Sequence, residues 1–167
     1  MKSWDNITVI PKAISNCSGK VTFAEREKLD ESGILPREGE KGQSGPKTVL
    51  YTVETITVDE FWKASGSGSP QFMKVDVEGH EEEVFKGAVD LLRTCRPIVM
   101  FEALNHQCMR RNVEVLRDIS RGNYEFARAT REGELVALDS TNPNVTNNFF
   151  AIPQWGKERF SKIPRQS

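Results

Sequence analysis

An α/β domain on a mainly parallel sheet, with an antiparallel hairpin towards its end, is what this sequence predicts. Three observations carry the prediction. The run Phe72-Met73-Lys74-Val75 stops abruptly in Asp76-Val77-Glu78-Gly79-His80, and a helical pattern begins at once. A buried parallel strand reads this way when its carboxyl end opens into a site and the chain turns back as a helix. After that helix comes Ile98-Val99-Met100-Phe101-Glu102, apolar without polar alternation, as for a strand covered on both faces. Strand, helix and strand together make a βαβ unit, which is right-handed and parallel. Lastly, Tyr124 to Ala129 and Leu135 to Leu138 flank the turn Arg131-Glu132-Gly133-Glu134, a hairpin signal.

In chain order, Asn6-Ile7-Thr8-Val9-Ile10 predicts a first strand, and Gly19-Lys20-Val21-Thr22-Phe23 a second after the turn Ser15-Asn16-Cys17-Ser18. Residues 25–47 are polar and rich in Glu, Lys, Gly, Ser and Pro, and read as a long mobile loop. The β-branched segment 48–55 predicts a strand. Thr57-Val58-Asp59-Glu60 has the form of a capping box opening a short helix through Phe61 and Trp62, and the Ser/Gly run at 65–70 ends it. Residues 72–77 form the central strand. Val84, Phe85, Ala88, Leu91 and Leu92 share one stripe of a helix over 81–94, stopped by Arg96-Pro97. Met109, Val113, Leu116 and Ile119 mark a helix over 109–120 ended by Gly122, and residues 147–152 a last strand closed by Pro153. Residues 1–153 thus read as one domain, with 154–167 as a basic tail carrying Lys157, Arg159, Lys162 and Arg165.

Composition narrows the function classes. A chain of 167 residues is enough for one domain with a real core. Lys and Arg number 23 against 24 Asp and Glu, so no global field draws the protein to nucleic acid or to an acidic membrane. No apolar run approaches the length that crosses a bilayer, and the first residues do not lead into a signal-peptide core. Cys17, Cys95 and Cys108 lack both the even count of a disulfide framework and the spacing of a zinc site. The expectation is a cytoplasmic protein without a metal.

Asp76 and Glu78 are two apart, so a strand continuing through them puts both on one face. Parallel strands have their carboxyl ends on one edge, where ligand crevices of open α/β sheets lie, and this places Glu102 beside them. His80 falls in the same turn. His106 follows Glu102 and reads by itself as an ordinary surface or core histidine. Acidic residues at a strand-to-helix turn also suit helix capping, which needs only one such group. A metal-dependent hydrolase using Asp76, Glu78, His80 and Glu102 around a hard cation is a further alternative, although the spacing matches no established ligand pattern.

Five segments in order resemble the FkbM-type methyltransferases. Residues 7–15 (ITVIPKAIS) followed by Ser18-Gly19 resemble that family's third strand and its small-residue turn. Thr57-Val58-Asp59-Glu60-Phe61 is similar to its V-x-L-D-x-F element. Residues 73–81 (MKVDVEGHE), with Val84, Gly87 and Ala88, resemble its signature K-I-D-V-E-G-x-E and the following V-L-x-G-A. Arg96-Pro97 with Glu102 matches the next strand, and residues 148–153 the closing one. The resemblance implies a Rossmann-like class I methyltransferase sheet using S-adenosylmethionine, here partial and lacking the first two βα units, because no strand with a D-x-G-A-N-x-G turn precedes Asn6. It implies that Asp76 and Glu78 position the acceptor and favour the cationic sulfonium, that His80 is a candidate base, and that Glu102 belongs to the same site. Ala13, Ile14, Ser15 and Asn16 would line the adenine pocket, with Asp76 also facing the cofactor. The reaction implied is methyl transfer to an oxygen of a small-molecule or glycan-type acceptor once the missing half is supplied. The chain alone would bind the cofactor weakly, and an exposed sheet edge would favour self-association. A non-catalytic remnant or interaction module of the same fold is the alternative.

Overall fold

The computed structural model describes residues 6–25, 33–34, 49–139 and 144–156. They form a mixed α/β protein with two sheets. The larger runs β5-β6-β9-β7-β8, with β5 at Phe72–Val75, β6 at Ile98–Glu102, β7 at Tyr124–Thr130, β8 at Leu135–Ala137 and β9 at Val145–Pro153. β5 and β6 are parallel, from Phe72 opposite Ile98 to Val75 opposite Phe101, as the βαβ pattern requires. The expectation of a mainly parallel sheet is not met, since β9 pairs antiparallel with both β6 and β7, and β7 with β8. Only one helical crossover joins neighbouring strands of this sheet, and the short links after β7 permit antiparallel pairing alone.

The smaller sheet runs β1-β4-β2-β3, with β1 at Ala13–Ile14, β2 at Gly19–Glu25, β3 at Gly33–Ile34 and β4 at Val49–Ile56. β2 and β4 are antiparallel over seven residue pairs, and β1 lies parallel to β4. The strand expected at 7–10 does not form. Its β-branched residues are exposed, Val9 by 81%, and the strand begins instead at Ala13, after Pro11. The ladder with β4 starts only at Ala13, opposite Thr55, although β4 itself runs back to Val49. Pro11, which has no amide to donate, stands between residues 7–10 and that ladder. Nor does this first strand join β5 and β6, as expected; it belongs to the other sheet. β3 falls inside the expected loop at 25–47, pairing with Phe23 and Ala24 of β2. The rest of that loop, and the basic residues 157–165, lie outside the described residues.

Helix α1, Val58–Ser65, starts at the capping box read from the sequence. Thr57 Oγ1 accepts from the Glu60 amide at 3.0 Å, the Glu60 carboxylate accepts from the Thr57 amide, and Gly66 ends the helix in the left-handed region. The expected helix over 81–94 divides into α2, Glu81–Lys86, and α3, Val89–Thr94. Two tertiary contacts cause the break. A Cβ at Gly87 would lie 2.2 Å from the Ser15 carbonyl oxygen, so only glycine admits β1 this close. The Asp59 carboxylate then accepts from the amides of Asp90 and Leu91, both at 2.9 Å, and so starts a new helix, while the Asp59 amide donates to the Gly87 carbonyl. Asp59→Ala should therefore cost about 1–2 kcal/mol of stability. A urea denaturation midpoint unchanged from wild type would remove Asp59 from this role.

Helix α4, His106–Ser120, begins one turn earlier than expected because Asn105 caps it, its side chain accepting from the Cys108 amide at 2.9 Å. The core lies between α2, α3, α4 and the larger sheet. Phe101 is fully buried at its centre, edge-on to Phe85 at 5.7 Å and stacked on Phe149 at 5.6 Å. On the other side of β5 no strand pairs with it among the described residues. A groove of about 750 Å³ lies there, bounded by Ile14, Phe61, Trp62, Phe72, Met73 and Val77, and Phe72 is 52% exposed to it.

Candidate active site

The carboxyl edge of the larger sheet collects the acidic residues. Val75 is opposite Phe101, so one step further along each strand brings Asp76 level with Glu102 at an interstrand spacing of about 4.8 Å. Asp76 is exposed and Glu102 half-buried. Lys74 Nζ donates to the Asp76 carboxylate at 2.7 Å, and that hydrogen bond, followed by the charges of Asp76 and Glu102, holds the ammonium above the usual lysine range. Lys74 escaped the sequence reading, although a lysine two before the aspartate on a strand faces the same way and was the available signal.

Beyond Asp76 the chain reverses sharply. Glu78 has φ 50° and Gly79 φ 94°, both left-handed, and Glu78 is exposed. A non-glycine residue held there stores about 1 kcal/mol or more, which collects at functional sites. Glu81, only 3% exposed, holds the turn by accepting from the Gly79 amide at 3.0 Å. It is a structural carboxylate of the same acidic segment, one that the sequence reading passed over.

The residues expected at the cofactor join this turn from β1. Ala13 and Ile14 pair with Thr55 and Ile56, and Ile14 shares the apolar groove with Asp76 and Val77. Ser15 is buried, with its Oγ 3.1 Å from His80 Nε2. Asn16 is exposed, and its amide donates to the Glu83 carboxylate. The contact seen for His80 is thus with the β1 residues. Burial pushes its imidazole below the ordinary histidine range, partly opposed by the charges of Glu83 and Glu81. A histidine pKa lowered by folding means that the unfolded chain binds more protons below about pH 6.5, so stability falls as pH drops through that value towards the folded pKa. His80→Gln should flatten the change of Tm between pH 7.5 and 5.5, and a slope equal to wild type would assign it to other groups.

Among the described residues, no group of three or more His, Cys, Asp or Glu is arranged to hold a metal ion, and no helix is long and apolar enough to cross a membrane. The residues present fit part of a S-adenosylmethionine site. Ile14, Asp76 and Val77 line one apolar groove, so a carboxylate and apolar side chains that suit a cation and a flat base share it.

Comparison with known proteins bears on the family. Over 95 residues the chain is 32% identical to hexuronic acid methyltransferase AglP of Haloferax volcanii, a stretch covering 56% of this chain and 36% of that protein. The chain therefore spans about a third of the length of that curated relative. A crystal structure of methyltransferase FkbM from Methylobacillus flagellatus KT aligns over 60% of this chain and 23% of its own, at 17% identity and a TM-score of 0.42. The model of the methyltransferase FkbM domain matches residues 3–128, most of the chain. By that match, the protein belongs to the FkbM methyltransferase family.

Proposed function

We propose that this chain is the acceptor-side half of a S-adenosylmethionine-dependent methyltransferase acting on an oxygen of a small-molecule or glycan-type acceptor. The observation that supports the proposal is the parallel pairing of Val75 with Phe101, which sets Asp76 and Glu102 as the next residues at the carboxyl ends of two neighbouring strands, beside the groove that Ile14 lines, within a chain of this family. The hexuronic acid in the name of the haloarchaeal relative points the same way, towards a sugar acceptor.

The cofactor, when bound, supplies a methyl group on a cationic sulfonium. The new bond is from that carbon to the acceptor oxygen, the bond lost is carbon to sulfur, and the acceptor's proton, if it has one, must leave. Most of the acceleration in such a displacement comes from holding two reactants in contact and in line. Ile14 and Val77 would shield the base end, and Ala13, Ser15 and Asn16 would border it. Asp76 would offset the positive charge, while Glu78 and Glu102 would accept acceptor hydroxyls, and either carboxylate can take the departing proton. His80, through Ser15, would tie the cofactor-side residues to the turn that carries Glu78.

On this reading the glycine turn and the ribose carboxylate of the cofactor site come from elsewhere, and the edge of β5 that no described strand pairs with is where the strand carrying them would add. It is also where a second chain would pair in their absence. Calorimetry should show the 167-residue chain binding S-adenosylmethionine about a thousandfold or more weaker than a complete domain, since two or three charge-assisted hydrogen bonds are lost. A chimaera carrying the N-terminal strands of a relative before this chain should bind it and transfer labelled methyl to a sugar. Micromolar binding by the chain alone sinks the half-site reading; a chimaera that binds the cofactor but transfers to no acceptor sinks the function.

A further inference from the structure

A second cavity, of about 180 Å³, lies beyond Glu102 on the same sheet edge, between the start of α4 and the strands β7 and β9. Its polar lining is Asn105, His106, Arg128, Asp139 and Asn147, over a floor that includes Phe149. Arg128 is held in a fixed attitude. Its Nε donates to the Thr146 carbonyl at 2.7 Å, and its guanidinium carbon stands 5.2 Å from the centre of the Phe149 ring. These contacts use one N–H of the fork and one face. Among the described residues no carboxylate forms an ion pair with it, although it is half-buried. A guanidinium fixed at Nε in the lining of a small cavity, its terminal N–H groups in no hydrogen bond among the described residues, is suited to a carboxylate, which it can grip with two parallel bonds. The field is favourable as well, because α4 has no acidic residue in its first turn, whereas α1, α2 and α3 all do.

The sheet register gives the distance to the proposed reaction centre. Arg128 is opposite Phe149, Phe149 opposite Phe101, and Phe101 opposite Val75. Three interstrand steps of about 4.8 Å put Arg128 roughly 14 Å from the residue that precedes Asp76. That is further than one hydroxyl can reach and comparable to one or two sugar rings. Asp139 and Asn147 add a hydroxyl acceptor and a mixed amide, which suit a polyol more than a bare anion.

We propose that this cavity recognises the acceptor, and that it takes the carboxylate of an acidic sugar on Arg128 and its hydroxyls on Asp139 and Asn147. Its assignment to the acceptor rests on the function proposed above, but binding can be read without any methyl transfer. Amide resonances of the full chain would be followed during titration with glucuronate, glucose and inorganic phosphate. Glucuronate should give saturable shifts around Ala103, His106, Arg128 and Asn147, with an affinity at least about tenfold above that of glucose. Arg128→Gln should weaken it by about tenfold or more, and Arg128→Lys, which keeps the charge without the fork, should fall between. If Arg128→Gln does not fold, the Arg128→Lys loss alone decides. Equal affinity for glucose, phosphate bound as tightly at the same residues, or substitutions without effect would each overturn the proposal. Glucuronate bound through Arg128 by a chain whose chimaera transfers no methyl would leave the subsite standing and the enzyme reading fallen. Transfer to neutral acceptors without glucuronate binding would do the reverse.

Discussion

Gly87→Ala should destabilise the protein by about 3 kcal/mol or more, the largest effect expected of a methyl group added at any of the glycines whose surroundings are described. The added carbon would stand 2.2 Å from the Ser15 carbonyl oxygen, 3.2 Å from its carbonyl carbon and 3.4 Å from Asn16 Cα. All three are backbone atoms, so no side chain can swing aside. Relief requires moving the end of β1 or the α2–α3 junction. Either movement strains the bond from the Ser15 amide to the Ile56 carbonyl and the contacts of Ser15 with His80 and Asn16 with Glu83. Overpacking against side chains costs about 1–3 kcal/mol, and a rigid obstacle puts this case at or above the top of that range. Gly68→Ala is the control, since a Cβ there meets nothing within 4 Å, and it should change stability by less than about 0.5 kcal/mol. Urea denaturation at constant m value distinguishes the two, and equal midpoints would mean that β1 is not seated on Gly87.

Asp76→Asn should lower turnover of the completed enzyme by about a hundredfold or more while leaving the fold intact. The stability side follows from exposure. The pair with Lys74 is open to solvent on both partners, and such pairs contribute about 0–1 kcal/mol. On the catalytic side, a fixed charge aimed at charge that changes in the transition state is worth about 10²–10³ in rate. The two quantities therefore separate: a small change in melting temperature with a large loss in kcat supports the proposed role. Unchanged turnover would return Asp76 to the ion pair with Lys74 and nothing more.

The parts legible in the sequence are those set by local pattern. The parallel pair β5–β6, the acidic turn after β5, the capping box at Thr57 and the β7–β8 hairpin all follow from periods and turn residues within a few positions. What was not legible depends on partners far along the chain. Residues 7–10 have the side chains of a strand, yet no propensity scale can say that pairing with β4 starts only at Ala13, past Pro11. The stripe from Val84 to Leu92 reads as one helix because the obstacle that divides it is the backbone of Ser15. Asp59 sits inside a capping box of its own helix, yet its carboxylate starts a different one. Arg128 looks like any polar residue of an edge hairpin until β9 brings Phe149 and Thr146 beneath it. In each case the local signal was real and a contact between remote segments decided its use.

The junction at Gly87 also bears on how the molecule comes apart. The smaller sheet reaches the larger layer through Ser15 and Asn16, while α1, which continues directly from β4, sends the Asp59 carboxylate to the first amides of α3. Detaching the smaller sheet pulls on both connections at once. It would strip α3 of its cap and take the side-chain acceptor from the amides of exposed Asp90 and buried Leu91, a penalty set in the larger layer. Opening either sheet then costs the other a contact, and the two should melt in one transition, by circular dichroism and tryptophan fluorescence alike, even though no strand is shared between them.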